Sequence, residues 1–270
     1  MKLKFIRGIW GMAEHSLKAN LEKIKEGGFD GVEMGAPADP QVRKELKCML
    51  DDLDLDYIGQ QWSAGNSIEE HIESFRTQFD TNADMSPIHI NSHTGKDWYG
   101  LDQNVEIYEA ANQHAESSGI KLVHEIHRGR ATFCTDSLLN LLERLPETRL
   151  CADFSHWCCV HESFLEDQTF QVEKAIQHTD YFHARVGHTQ ASQINDPRVP
   201  EWKHALDKHL AWWDRIVEVK KERGSKVLYC CPEFGPYPYM TELPFSRSPL
   251  TDLWEINQWM FELLKKRYHY

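Results

Sequence analysis

The sequence lacks several of the features that assign proteins quickly. It has no Cys-x-x-Cys pair, so neither a zinc ribbon nor a thioredoxin-type site is indicated. Its seven cysteines are an odd number, and Cys158-Cys159 and Cys230-Cys231 are vicinal pairs poorly placed for ordinary disulfides. Most are expected to be buried thiols. No Gly-x-Gly-x-x-Gly follows the first strand-like run, where Trp10-Gly11-Met12 stands instead, and no Gly-rich phosphate loop appears elsewhere. No apolar run approaches the roughly 20 residues that span a bilayer. The first residues show no signal-peptide pattern, so a reducing cytoplasm is the expected location. Basic residues are in deficit: Lys+Arg 30 against Asp+Glu 42, a formal charge of -12. That balance opposes non-specific nucleic-acid binding, which rests on basic patches. A small anionic ligand held by a few local arginines is still allowed.

What is present is a strict alternation. Period-2 apolar runs predict strands at 3–9, 29–34, 56–60, 88–90, 122–126, 149–153, 181–186 and 226–231. Helical stripes lie between them, over about 15–26, 40–52, 67–79, 104–117, 135–145, 162–177, 201–223 and 251–266. Asp39-Pro40 reads as an N-cap with proline at the first helical position, and Ser67-Ile68-Glu69-Glu70 as a capping box. Alternation implies a parallel sheet, and eight units imply closure into a single-domain (β/α)8 barrel over residues 1–270. Trp202, Trp212 and Trp213 are expected to pack a helix onto the barrel, with a homo-oligomer contact as the alternative.

The stretch from Lys121 to Arg130 organises the rest. Period 2 puts Val123, Glu125 and His127 on one face of its strand, and a carboxylate there is costly to bury without a cation or donor beside it. Three other strands end in a metal-capable side chain: Asp153, His183 and Glu233. Catalytic groups of this fold sit at the C-terminal strand ends, so these four line one half of the barrel mouth. Three carboxylates that close repel unless a cation lies between them. A divalent ion resolves the repulsion. The oxygen-rich set with one imidazole suits Mn²⁺, Mg²⁺ or Co²⁺ better than Zn²⁺, which more often recruits extra His or Cys. His156, Arg185, His188 and His127 follow these strands and are candidates for binding substrate oxygens. Glu33, Gln60 and His93 end or follow earlier strands and are candidates for the other half of the mouth, with a buried structural carboxylate as the equal alternative for Glu33. The loop 187–200 is long and polar, and is expected to cover the substrate.

These motifs together resemble the xylose-isomerase-like barrels, the sugar isomerase/epimerase superfamily. The likeness rests on Gly31-Val32-Glu33, His124-Glu125-Ile126-His127, Asp153-Phe154-Ser155-His156, Phe182-His183-Ala184-Arg185 and Pro232-Glu233-Phe234, in that order along nearly the whole chain. The resemblance implies one divalent metal on Glu125, Asp153, His183 and Glu233. It also implies that Glu125 and Glu233 act as the acid/base pair, and that His156 touches substrate. The chain departs from the ketose 3-epimerases after strand seven, where Arg185, Val186, Gly187 and His188 stand in place of an early acidic residue. The expected activity is isomerisation or epimerisation of a small sugar or polyol through an enediolate. The alternatives are a dehydratase or lyase of the inosose dehydratase kind and a non-catalytic sugar-binding barrel.

Overall fold

The computed structural model describes residues 1–12 and 15–269. Eight parallel strands close on themselves in sequence order: β1 (Lys2–Gly8), β2 (Gly31–Met34), β3 (Asp56–Trp62), β4 (Ile90–His93), β5 (Leu122–Glu125), β6 (Leu150–Ala152), β7 (Thr179–His183) and β8 (Val227–Cys231). The last pairs with the first, Leu3 against Leu228 and Phe5 against Cys230, so the sheet has no edge. The helices are α1 (Leu17–Glu26), α2 (Pro40–Asp52), α3 (Ile68–Ala83), α4 (Leu101–Ser118), α5 (Thr135–Arg144), α6 (Phe154–Val160), α7 (Thr169–His178), α8 (Lys203–Glu222) and α9 (Leu253–Arg267).

Strand alternation produces two cores. Ile6, Ile58, Val123, Cys151, Tyr181 and Cys231 point inward and fill the barrel. Their chain neighbours Phe5, Ala152, Phe182 and Cys230 point outward into the larger layer under the helices. The tryptophans of α8 belong to that layer: Trp213 stacks over Phe182 with centroids 6.1 Å apart, and Trp212 meets Phe154 edge-on. All seven cysteines are free, and four of them are buried.

Local signals set most boundaries. Asp39 accepts from the N–H groups of Gln41 and Val42 at the start of α2. Ser67 Oγ accepts from Glu70 N–H, while the Glu70 carboxylate reaches past the cap to Asn66 N–H at 2.8 Å. Two sequence expectations are corrected. The helix expected over 162–177 begins only at Thr169, because Glu162 and Leu165 have φ of +48° and +59°, outside the right-handed helix. A separate short helix, α6, starts directly after β6, with Asp153 accepting from Ser155 N–H as its cap. Strand four lies at 90–93 instead of 88–90, because the polar residues Asn91, Ser92 and His93 are buried in the barrel mouth and not in a loop.

At the opposite end of the barrel Asp180 receives Arg149, with contacts at 2.8 and 3.0 Å, and Lys220 at 2.6 Å. Partial burial raises the Asp180 pKa, but these two cations outweigh it and bring it down from 3.8 to about 2. A depressed folded-state pKa stabilises above the unfolded value and is lost as pH falls through the folded one. With the Asp180 side chain 35% exposed, solvent screening leaves about 1 kcal/mol. Urea unfolding of wild type and Asp180→Asn should therefore differ by that amount at pH 5–6. The gap should shrink between pH 4 and pH 2.

Candidate metal centre

Glu125, Asp153 and His183 stand at the C-terminal ends of β5, β6 and β7, and Glu233 two residues beyond β8. Each offers a ligand atom within 4.8 Å of the others, and all four are buried. Three neighbouring strands and the exit of the fourth thus bring together groups spread over 109 positions of sequence, as their strand-end spacing predicts.

The surroundings orient each ligand. His183 Nε2 lies 3.0 Å from Glu33 Oε2, which also accepts from Tyr181 O–H at 2.9 Å. A proton on Nε2 satisfies Glu33 and turns Nδ1 toward Glu233 Oε2 at 2.8 Å and Glu125 Oε2 at 3.7 Å, where a bound ion would take the place of a second proton. Asn91 Nδ2 donates to Glu33 Oε1 at 2.9 Å and to Glu125 Oε2 at 2.7 Å. Asp153 Oδ1 accepts from both the N–H and the hydroxyl of Ser155, and its Oδ2 accepts from Arg185.

The residues fit a divalent ion. His183 Nδ1 and Glu233 Oε2 are both buried without a hydrogen-bond partner although they face each other. Such a pair is costly unless a proton or a divalent ion shared between them satisfies both atoms. Three carboxylates and one imidazole form a hard, oxygen-rich set of the kind that holds Mn²⁺, Mg²⁺ or Co²⁺. Two other groupings share Glu125: one with Cys151 and His183, one with His93 and His127. Cys151 is a poor ligand, since burial pushes its thiol pKa well up and a thiolate is what binds metal.

Burial disfavours the ionised form of Glu233, but His183 and Arg185 outweigh it and bring its pKa down to about 2. Burial also disfavours the imidazolium of His183, but Cys151, Glu233, Glu33 and Glu125 outweigh it and raise that pKa well above 6.5. Burial lowers His93 and His127 to about 3, and holds His156 well below 6.5. These three are neutral at pH 7. They stand in a row, with His93 and His127 centroids 4.5 Å apart and His127 and His156 3.9 Å apart.

A cavity of about 120 Å³ opens over Glu125 and Glu233. Of the expected substrate contacts, His93, His127 and Arg185 line it, as does Gln60. His156 lies behind His127 and Arg185, fully buried, with Nε2 3.1 Å from the Arg185 guanidinium. Glu33 lies beneath His183, with both oxygens engaged. His188 does not line the cavity; its ring packs on Trp202 at 4.7 Å and its Nδ1 accepts from Gln190 N–H. The loop 187–200 is tied to the β8 exit by a two-way pair between the Gln193 amide and the Gly235 backbone, at 2.8 and 3.1 Å.

Sequence reasoning missed the aromatic walls Trp10, Trp62 and Tyr239. Trp10 lies over Gly235, where a Cβ would fall 2.0 Å from its ring. Gly235→Ala should therefore displace Trp10 and dislodge the mouth, which a change in tryptophan fluorescence would register.

Among solved structures, the chain is similar to a D-tagatose 3-epimerase-like protein (16% identity, 98% of this chain and 97% of that one, TM-score 0.66). It is similar to 3-keto-D-glucoside 4-epimerase from E. coli (12%, 98% and 100%, TM-score 0.65). A probable 3-DHS dehydratase from Bacillus anthracis is also similar (14%, 97% and 98%, TM-score 0.63). At these identities the likeness establishes the fold. No curated protein matches the chain. Residues 21–248 match the family model described as xylose isomerase-like TIM barrel, which covers most of the chain. With the closed eightfold barrel, that match makes this chain a member of the xylose isomerase-like TIM barrel family.

Proposed function

We propose that this barrel is a divalent-metal-dependent isomerase or epimerase of a sugar or polyol derivative, with Glu125 and Glu233 as its acid/base pair. The observation that carries the reading is the convergence of these two carboxylates with Asp153 and His183 on one buried point beneath an open cavity. A bound divalent ion would supply Lewis-acid polarisation of a substrate carbonyl and its neighbouring hydroxyl.

The protein's own groups do the rest. One glutamate removes the proton on carbon, and the other returns it on the opposite face, as positioned general base and acid. Glu233 is held ionised at neutral pH by His183 and Arg185. Asn91 holds Glu125 in place through Oε2. His93 and His127, neutral at pH 7, line the cavity; His93 Nε2 faces Glu125 Oε2 at 3.0 Å, and His127 is held between the Arg128 carbonyl and the Tyr239 hydroxyl. Trp10 and Trp62 give the cavity an apolar wall suited to the C–H side of a sugar, while the Tyr239 ring carries the guanidinium groups of Arg128 and Arg185.

The test is metal analysis of the purified protein, followed by a screen of ketoses, inososes and keto-sugars in D₂O. Solvent deuterium in recovered substrate or epimer, without loss of water, is the expected result. Loss of water would assign a dehydratase. Ligand binding with no deuterium exchange, in metal-loaded protein, would reduce the barrel to a sugar-binding module.

A further inference from the structure

Arg185 stands two residues beyond His183 and is 2% exposed. Its Nη2 lies 2.5 Å from Asp153 Oδ2 and 3.0 Å from Glu233 Oε2, and its Nε lies 3.2 Å from the same Asp153 oxygen. One guanidinium thus joins two of the four ligand side chains. Among the described residues it is the only arginine or lysine paired with Glu33, Glu125, Asp153 or Glu233; their other ion-pair partners are histidines.

Asp153 has little acceptor capacity to spare. A carboxylate offers about four lone-pair sites. Oδ1 takes the N–H and the hydroxyl of Ser155, and Oδ2 takes two guanidinium nitrogens. The Ser155 N–H is the capped start of α6 and leaves only if that helix unwinds. The donor that can move is Arg185. Its guanidinium rests on the face of Tyr239, 4.6 Å from the ring centroid, and its Nη1 is buried without a partner beside the cavity.

We propose that Arg185 is the counter-cation of the metal-free site, and that a divalent ion and this guanidinium compete for Asp153 Oδ2 and Glu233 Oε2. The proposal rests on the metal-dependent reading above. With no ion bound, Arg185 relieves the repulsion between the two carboxylates and lets a buried acidic site fold. When an ion takes those oxygens, the guanidinium gives them up and stays on Tyr239, where its N–H groups face the substrate cavity. Metal affinity is thereby held below what the four ligands alone would give.

Metal-stripped wild type, Arg185→Met and Arg185→Lys are titrated with Mn²⁺ by calorimetry, and their thermal unfolding is followed with and without Mn²⁺. Arg185→Met should bind Mn²⁺ about 5–150-fold more tightly, the usual range for the coupling between two groups that compete for a site. Its metal-free Tm should fall and its Mn²⁺-induced rise in Tm should grow. Arg185→Lys keeps the charge but not the fork, and should lie between. Equal or weaker Mn²⁺ binding by Arg185→Met overturns the proposal and leaves the metal reading standing. Absence of binding in both wild type and Arg185→Met, with Mn²⁺, Mg²⁺ and Co²⁺ alike, removes the metal reading and this proposal with it. Should Arg185→Met not fold, wild type decides by NMR. The Arg185 Nε–Hε signal, assigned by its loss in Arg185→Lys, must shift at Mg²⁺ saturation; an unmoved signal in protein that binds Mg²⁺ overturns the competition.

Discussion

Replacing Glu125 or Glu233 with glutamine should lower turnover by about 10²–10⁴-fold, the usual scale for a missing general acid or base, and excess divalent metal should not restore it. Glutamine keeps the length and one ligand oxygen of each side chain but cannot carry a proton. Metal binding is therefore weakened, whereas proton transfer at that face is abolished. Asp153→Asn should behave differently. Its oxygen can still face Ser155, which caps α6, but its NH₂ group then meets the Arg185 guanidinium donor against donor. Metal affinity falls and excess Mn²⁺ restores part of the activity. A two-carboxylate mechanism makes one further demand: one of the two Gln variants should exchange the substrate proton with D₂O from a single face while yielding no product. If Mn²⁺ fully rescues both Gln variants, Glu125 and Glu233 are ligands alone and that mechanism is wrong.

The four candidate ligand positions were legible in the sequence because each ends or follows an apolar strand, and strand ends in a closed parallel barrel all meet at one mouth. The inward face of β5 was equally plain: Val123 fills the barrel and His124 stacks outside on Tyr108, as period 2 requires. Asn91 escaped because strand four was placed two residues early. A run of Asn, Ser and His looks like a loop, although once the strand is set at 90–93 the same alternation turns Asn91 inward beside Glu33 and Glu125. Trp10 and Tyr239 come from loops, where no period exists to show direction. The pairing of Arg185 with Asp153 crosses from β7 to β6, and strand spacing alone does not reveal which way a long side chain turns.

Glu33 is where two readings of one residue lead to different measurements. The sequence leaves it open between a substrate contact and a buried structural carboxylate; in the fold its carboxylate accepts from His183 Nε2, Tyr181 O–H and Asn91 Nδ2. The first of these contacts holds the proton on Nε2 and turns Nδ1, whose own proton an ion would displace, toward Glu125 and Glu233. Glu33→Ala should thus weaken Mn²⁺ binding by about 100-fold, at the upper end for loss of a group that orients a metal-ligating histidine. Glu33→Gln should lose less, about 10-fold on the same scale, because one oxygen can still accept from His183. Its NH₂ group is then set against Asn91 Nδ2, and Asn91 cannot turn over without dropping Glu125. The direction is opposite to that expected for Arg185→Met, so the two variants tell an orienting group from a competing one on the same calorimeter. A rise in KM at saturating Mn²⁺, with Mn²⁺ affinity unchanged in both Glu33 variants, would instead return Glu33 to the substrate side of the site.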